Sequence, residues 1–200
     1  MNKRFELLDR SLAYDGFFRI EKYRLRHGLF DGGYGPELTR ELFDRGHSVG
    51  VLPYDAVRDE VVLVEQFRVG ALEDPRGPWL METVAGMVEE GQTAEQVARR
   101  ESLEEADCRL GELIPICDYY VSPGGSSEKV AVFCAQANTK GLGGVHGLAD
   151  EGEDIQVHVV SFDAAMNMIE TGVINSAMPI IALQWLALNR ERVQDLWGDD

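Results

Sequence analysis

Residues 86–108 read GMVEEGQTAEQVARRESLEEADC, and the fold of the whole chain turns on how this stretch is placed. Thr93, with Gln96 three residues on, has the pattern of a capping box, so a helix is expected over residues 93–106. At about 100° of rotation per residue, Ala94, Val97, Ala98, Glu101, Glu105 and Cys108 share one face, with Glu104 at its edge. Two carboxylates one turn apart therefore sit among the small apolar residues that should pack inward. The plain alternative for an acid-rich helix is a solvated face braced by charge pairs. That alternative fits poorly, because a buried carboxylate without a partner is costly. Oxygen ligands converging from one helix suit a hard divalent cation, Mg2+ or Mn2+.

Outward from this helix the pattern is of strands. VGVLPYD (49–55) and VVLVEQF (61–67) read as buried strands joined by Arg58, Asp59 and Glu60. Leu80 to Val84 reads as another strand, ending at Ala85 and Gly86. Further strands are expected at Ile114 to Val121, Val130 to Ala135 and Ile155 to Val160. A short helix over Phe162 to Glu170 and an amphipathic helix over Pro179 to Val193 close the chain. Strands interleaved with helices give the α/β (α+β) class.

Upstream, residues 3–30 mix alternating segments (Phe5 to Leu8, Phe17 to Tyr23) with charges, as half-exposed antiparallel strands do, and DGGYGPE (31–37) is a turn. Composition changes near Gly46. We therefore expect an N-terminal β segment over residues 1–45 and a main domain over residues 46–200. The first is too short to bury a core of its own. It must pack on the main domain or on a second subunit, which makes a homodimer the expected assembly.

The 200 residues suffice for one good-sized core, and 44% apolar with 27% charged residues is an ordinary globular mix. No apolar run approaches the roughly 18 residues of a membrane span, and MNKRFELLDR lacks the apolar core of a secretory signal. No membrane partner is expected. The cysteines Cys108, Cys117 and Cys134 are odd in number and form no CxxC pair. This argues against a disulfide framework and for a reducing cytoplasm. A net charge of −16 repels phosphate backbones, so no nucleic-acid partner is expected. A small anionic ligand remains compatible where arginines or a bound cation reverse the field locally.

The helix window resembles the signature of the Nudix hydrolase family, Gly-x5-Glu-x7-Arg-Glu-aliphatic-x-Glu-Glu-x-Gly-aliphatic. Gly86, Arg100, Glu101, Glu104 and Glu105 stand at the matching positions, whereas Gln92, Ser102 and Asp107 depart from it. From Asp15 to Trp197 the chain is similar to the ADP-ribose pyrophosphatase branch, through VEQFRVG, ETVAGMVE, SPGGSSE, GLADEGEDIQVHVV and IALQWL. The resemblance implies a Nudix-type α/β/α sandwich with a mixed sheet, and an N-terminal antiparallel β segment exchanged across a homodimer. It implies metal-dependent hydrolysis of ADP-ribose to AMP and ribose 5-phosphate by water attack on phosphorus.

Residue roles follow from the same resemblance. Glu101, Glu105, Glu153 and the Ala85 carbonyl would hold Mg2+, with Mn2+ as a substitute; Glu104 would bridge metals or hold metal-bound water. Glu151 would be the general base, although a nearby cation depresses a carboxylate's pKa, so a metal hydroxide formed without it stays open. Arg100 is the signature arginine, which the usual Glu at the position of Gln92 supports. Arg68 would contact phosphate. Phe17 would stack on adenine beside Arg40, and Glu128 would bind the terminal ribose hydroxyls. The rivals are a pyrophosphatase of GDP-mannose or another nucleoside diphosphate sugar, and a non-catalytic ADP-ribose-binding module. Such a module usually lacks the helix carboxylates that are present here.

Overall fold

The computed structural model describes residues 3–198, apart from the side chain of Glu151. The chain forms two compact units. One runs to His47 and includes Tyr119–Val130; the other comprises Ser48–Asp118 and the chain from Ala131 onward.

In the larger unit, β4 (His47–Asp55) and β5 (Glu60–Phe67) form the hairpin read from the sequence. Its turn is fixed by Asp55 Oδ1, which accepts from the backbone N–H of Val57 and Arg58, and by Asp59 at φ 57°. Aspartate tolerates this left-handed conformation better than most residues. The remaining elements are β6 (Trp79–Glu82), β7 (Val84–Val88), α1 (Ala94–Ala106), β8 (Leu113–Tyr120), β9 (Lys129–Gln136), β10 (Gly144–His146), β11 (Ile155–Ser161), α2 (Phe162–Glu170) and α3 (Ala177–Trp197). The eight-stranded sheet has the order β10-β11-β5-β4-β9-β8, with β6 paired to β5 and β7 to β4.

Strand alternation sorts the core into two faces. Val49, Val51, Val62, Val64, Ile155 and Val157 pack with Val97, Ala98 and Ala106 of α1. Leu52, Tyr54, Val61 and Leu63 alternate with them and are fully buried on the opposite face. There the Tyr54 hydroxyl donates to Asp59, which also pairs with Arg190 of α3. Helices thus cover both faces of the sheet, the α+β sandwich expected.

The smaller unit is an antiparallel sheet of β1 (Phe5–Asp15), β2 (Arg19–His27) and β3 (Leu38–Asp44) in that order. The tip between β8 and β9 belongs to it: Phe43 N–H donates to the Gly125 carbonyl at 2.8 Å and Ser127 N–H to that of Phe43.

Several boundaries differ from the sequence reading. The strand expected at Leu80 to Val84 is two, because the chain passes at Thr83 from pairing with β5 to pairing with β4 and continues through Ala85 and Gly86. Phe17 lies in the β1–β2 turn and not in a strand. Strand β3 was not anticipated, since LTRELFD is charged and shows no clean alternation. Helix α3 outruns the expected 179–193 at both ends; Pro179 is tolerated because it falls in the first turn, where no intrahelical donor is needed. Between β9 and β11 the chain also carries the short β10 and a 3-10 turn, Ala149–Glu151.

Candidate active site

Helix α1 begins as its sequence dictates. Thr93 Oγ1 accepts from Gln96 N–H at 3.2 Å, and Gln96 Oε1 accepts from Thr93 N–H at 2.9 Å. It ends at Asp107, held in the left-handed conformation (φ 48°), with its N–H bonded to the Leu103 carbonyl. Asp107 thus takes over a task usually given to glycine. Ser102 is fully buried at a position where an aliphatic residue is usual, and its hydroxyl donates to the Ala98 carbonyl at 2.8 Å. The burial is tolerated because this bond stays within the helix.

Glu105 is the most unusual side chain on this helix, at 3% exposure. Oε2 accepts from Ala85 N–H at 3.1 Å. Burial, together with the nearby charges of Glu101 and Glu153, pushes its pKa up to about 8, against the opposing pull of Ala85 N–H and Arg68. Glu105 therefore feels the charges of Glu101, Glu153 and Arg68 at the end of β5. Gly86 lies against Glu101: a Cβ there would stand 2.0 Å from its Oε1. Only glycine lets the β7 backbone approach the helix carboxylate this closely. Glu153 Oε2 accepts from Leu148 N–H at 3.0 Å, which ties it across the end of its loop. Glu151 lies in the adjoining 3-10 turn, and its side chain is outside the described residues.

Arginines hold the periphery. Arg100 bridges two acids, reaching Glu104 Oε2 at 2.8 Å and Glu101 Oε1 at 2.9 Å. Gln92 does not brace it in the way the resemblance suggested. Its Nε2 donates to Glu89 at 3.4 Å, and its buried Oε1 has no partner among the described residues. Arg68 Nε donates to Glu82 Oε2 at 2.7 Å. Glu82 was missed from sequence; its registry opposite Val64 puts it on the α1 face, but that pairing could not be read in advance.

Among the described residues, no three His, Cys, Asp or Glu side chains stand in a ready-made ligating arrangement. The residues nevertheless fit a divalent cation. The donors are all oxygens, as Mg2+ requires, and a deeply buried carboxylate facing two others is short of positive charge.

The expected base and ribose contacts lie in the smaller unit. Phe17 is 89% exposed and stacks edge-on with Phe18, so it is free of any core role. Arg40 is exposed on β3, bonded to its neighbour's carbonyl. Glu128 is 7% exposed, with Arg45 Nε 3.7 Å from its Oε1. Arg45 was not anticipated; its guanidinium also lies over the Phe18 ring at 5.3 Å.

Comparison with known proteins gives a consistent picture. The NUDIX domain family model matches residues 44–180. An ADP-ribose pyrophosphatase of Escherichia coli (strain K12) is 46% identical over 193 residues, covering 96% of this chain and 92% of its own length. One from Haemophilus influenzae is 42% identical, covering 96% and 90%. A GDP-mannose pyrophosphatase of Enterobacter sp. (strain 638) is 37% identical, covering 94% and 98%. A solved structure described as an ADP compounds hydrolase superposes with a TM-score of 0.72 over 98% of this chain and 97% of its own, at 20% identity, which speaks to the fold alone.

Proposed function

This chain belongs to the NUDIX domain family and is a hydrolase of that family, and from that premise we propose that it cleaves ADP-ribose to AMP and ribose 5-phosphate. The observation that carries the proposal is Glu105, buried on α1, bonded to Ala85 N–H and raised in pKa by burial and by the charges of Glu101 and Glu153. These three carboxylates and the Ala85 carbonyl would hold Mg2+, or Mn2+ in its place. A cation held there would neutralise phosphate oxygens and make a water molecule more acidic.

The chain's own groups do the rest. Arg68, fixed by Glu82, binds phosphate oxygens at the mouth of the acidic face. Arg100 holds Glu101 and Glu104 in place and is a positioning residue. Glu151, on the glycine-flanked turn after β10, takes the proton of the attacking water. Water adds to one phosphorus, the bridging P–O bond breaks, and each product leaves with one phosphate. Phe17 and Arg40 serve the adenine and Glu128 the terminal ribose hydroxyls.

The test is a hydrolysis panel with Mg2+. ADP-ribose should be turned over well ahead of GDP-mannose, and a reversed order would favour the second reading, which the Enterobacter relative keeps in view. We also propose a homodimer in which the smaller unit packs on a second copy. Its β1 leaves Phe5, Leu7, Leu12 and Tyr14 exposed, an apolar surface that a monomer would leave in water. Sedimentation showing a fully active monomer would defeat that. A reducing, cytoplasmic setting is supported by three unpaired cysteines, two of them buried with thiols that desolvation pushes up to about 12. No helix among the described residues is long and apolar enough to cross a membrane.

A further inference from the structure

The larger unit holds a second cleft, of about 450 Å3, where the β4–β5 turn, the segment after α1 and the end of β9 converge. Asp55, Arg58, Arg109, Gln136, Asn138 and Trp197 line it, and none of these belongs to the acidic cluster. We infer that this cleft binds a small phosphate monoester, independently of the reaction proposed above.

The sign of the occupant follows from which hydrogen-bonding groups are already used. Asp55 has no acceptor capacity to spare. Its Oδ1 takes the N–H groups of Val57 and Arg58 at 3.1 and 3.0 Å, and Oδ2 takes Arg58 Nη1 at 2.9 Å and Thr139 N–H at 3.0 Å; the Thr139 hydroxyl lies 3.0 Å from the same oxygen and 2.6 Å from Glu60 Oε2. Asn138 Oδ1 accepts from Lys140 N–H at 3.0 Å and from Arg58 Nη1 at 3.4 Å. Gln136 Oε1 accepts from Glu112 N–H at 3.5 Å and packs on Gly111, where a Cβ would meet it at 2.5 Å.

The two side-chain carbonyls are thus turned toward protein donors, which leaves the NH2 groups of Asn138 and Gln136 without partners among the described residues. The exposed Arg109 guanidinium likewise pairs with no carboxylate among them. What the lining side chains offer is chiefly donors: Arg58 pairs with Asp55, Glu112 is held by Trp197, and Arg109 adds a guanidinium that no carboxylate engages among the described residues. On a chain of net charge −16 the cleft is locally relieved of the negative excess.

One wall is different. Trp197 is 5% exposed and its indole is locked by Nε1 donating to Glu112 Oε2 at 3.1 Å. A fixed indole beside a set of donors suits a ligand with an anionic end and a carbon body, and the volume lies in the range of small-ligand pockets. Guanidinium groups match phosphate oxygens in geometry and in charge.

The experiment is calorimetric titration of the metal-free protein in chelator with inorganic phosphate and with phenyl phosphate. Both should bind saturably below about 10 mM, phenyl phosphate the tighter because its ring rests on Trp197. Arg109→Ala should weaken both by about tenfold or more with an unchanged thermal midpoint. Asn138→Asp, which keeps the acceptor and replaces the donor by a charge of the wrong sign, should abolish binding. Glu105→Gln should leave binding intact. No saturable binding to the wild type, or wild-type binding by Arg109→Ala and Asn138→Asp, overturns the site. Equal affinity for the two probes overturns the monoester assignment.

Discussion

Asp55 and Glu105 are equally buried, at 2% and 3% exposure, and they titrate in opposite directions. Burial alone would raise both. Around Asp55 the donors of Thr139 and Arg58 outweigh it and hold the carboxyl below its usual range. Glu105 has Ala85 N–H, a more distant arginine and two neighbouring carboxylates, so desolvation prevails. The difference separates a carboxylate that shapes a turn from one that, on the function proposed above, a cation would partner. Exposed area does not distinguish them; the heavier desolvation of Glu105 and its smaller set of donors together do.

The largest effect that would break this comparison is a pH effect on stability. Glu105 holds its proton more tightly folded than unfolded, so folding takes up a proton between its ordinary value of 4.5 and about 8. Metal-free protein should therefore lose stability as pH rises through that window, by an amount on the order of 4 kcal/mol. Mg2+ should restore it. Asp55 has the opposite sign: its contribution is present above its ordinary value of 3.8 and is lost as pH falls through its lowered pKa. Thermal melts across pH, with and without Mg2+, read both limbs; a flat neutral limb would show that Glu105 needs no cation.

Glu105→Gln should cut Mg2+-dependent turnover by about a hundredfold or more. The folded state should survive, and the neutral-pH slope should vanish with the carboxylate. Steady-state rates beside melts check this, and full activity in a folded variant would remove α1 from the mechanism. Asp55→Asn should do the reverse, costing about 2 kcal/mol of stability while turnover per folded molecule is unchanged, as denaturant titration and rates will show. Smallest is Gln92→Glu. The new acid would meet Glu89, not Arg100. Metal-free stability should slip by a few tenths of a kcal/mol, with apparent Mg2+ affinity unaltered in an activity titration. Clearly tighter Mg2+ dependence would return Arg100 to Gln92's care.

The helix was legible because its information is local. Capping at Thr93 and the inward-facing acid at Glu105 lie within one short window, and the structure bears out both. What sequence did not yield depends on pairing at a distance. Glu82 joins Arg68 only through the β5–β6 register. Strand β3 has no apolar rhythm of its own and is held by β2 and by the Gly125 carbonyl. The freedom of Gln136 and Asn138 to donate follows from backbone groups that local spacing does not reveal.

The smaller unit is assembled from two stretches that translation makes far apart in time. Its three strands are complete by Asp44, yet the carbonyl that takes up Phe43 N–H belongs to Gly125, and Ser127 N–H answers the Phe43 carbonyl. Those partners leave the ribosome only after β4 to β8 have been made. During synthesis the inner edge of β3 stays open, and the β4–β5 hairpin and α1 emerge before it can close. This unit must finish late, although its chain begins first. An excised N-terminal piece would carry the same open edge permanently.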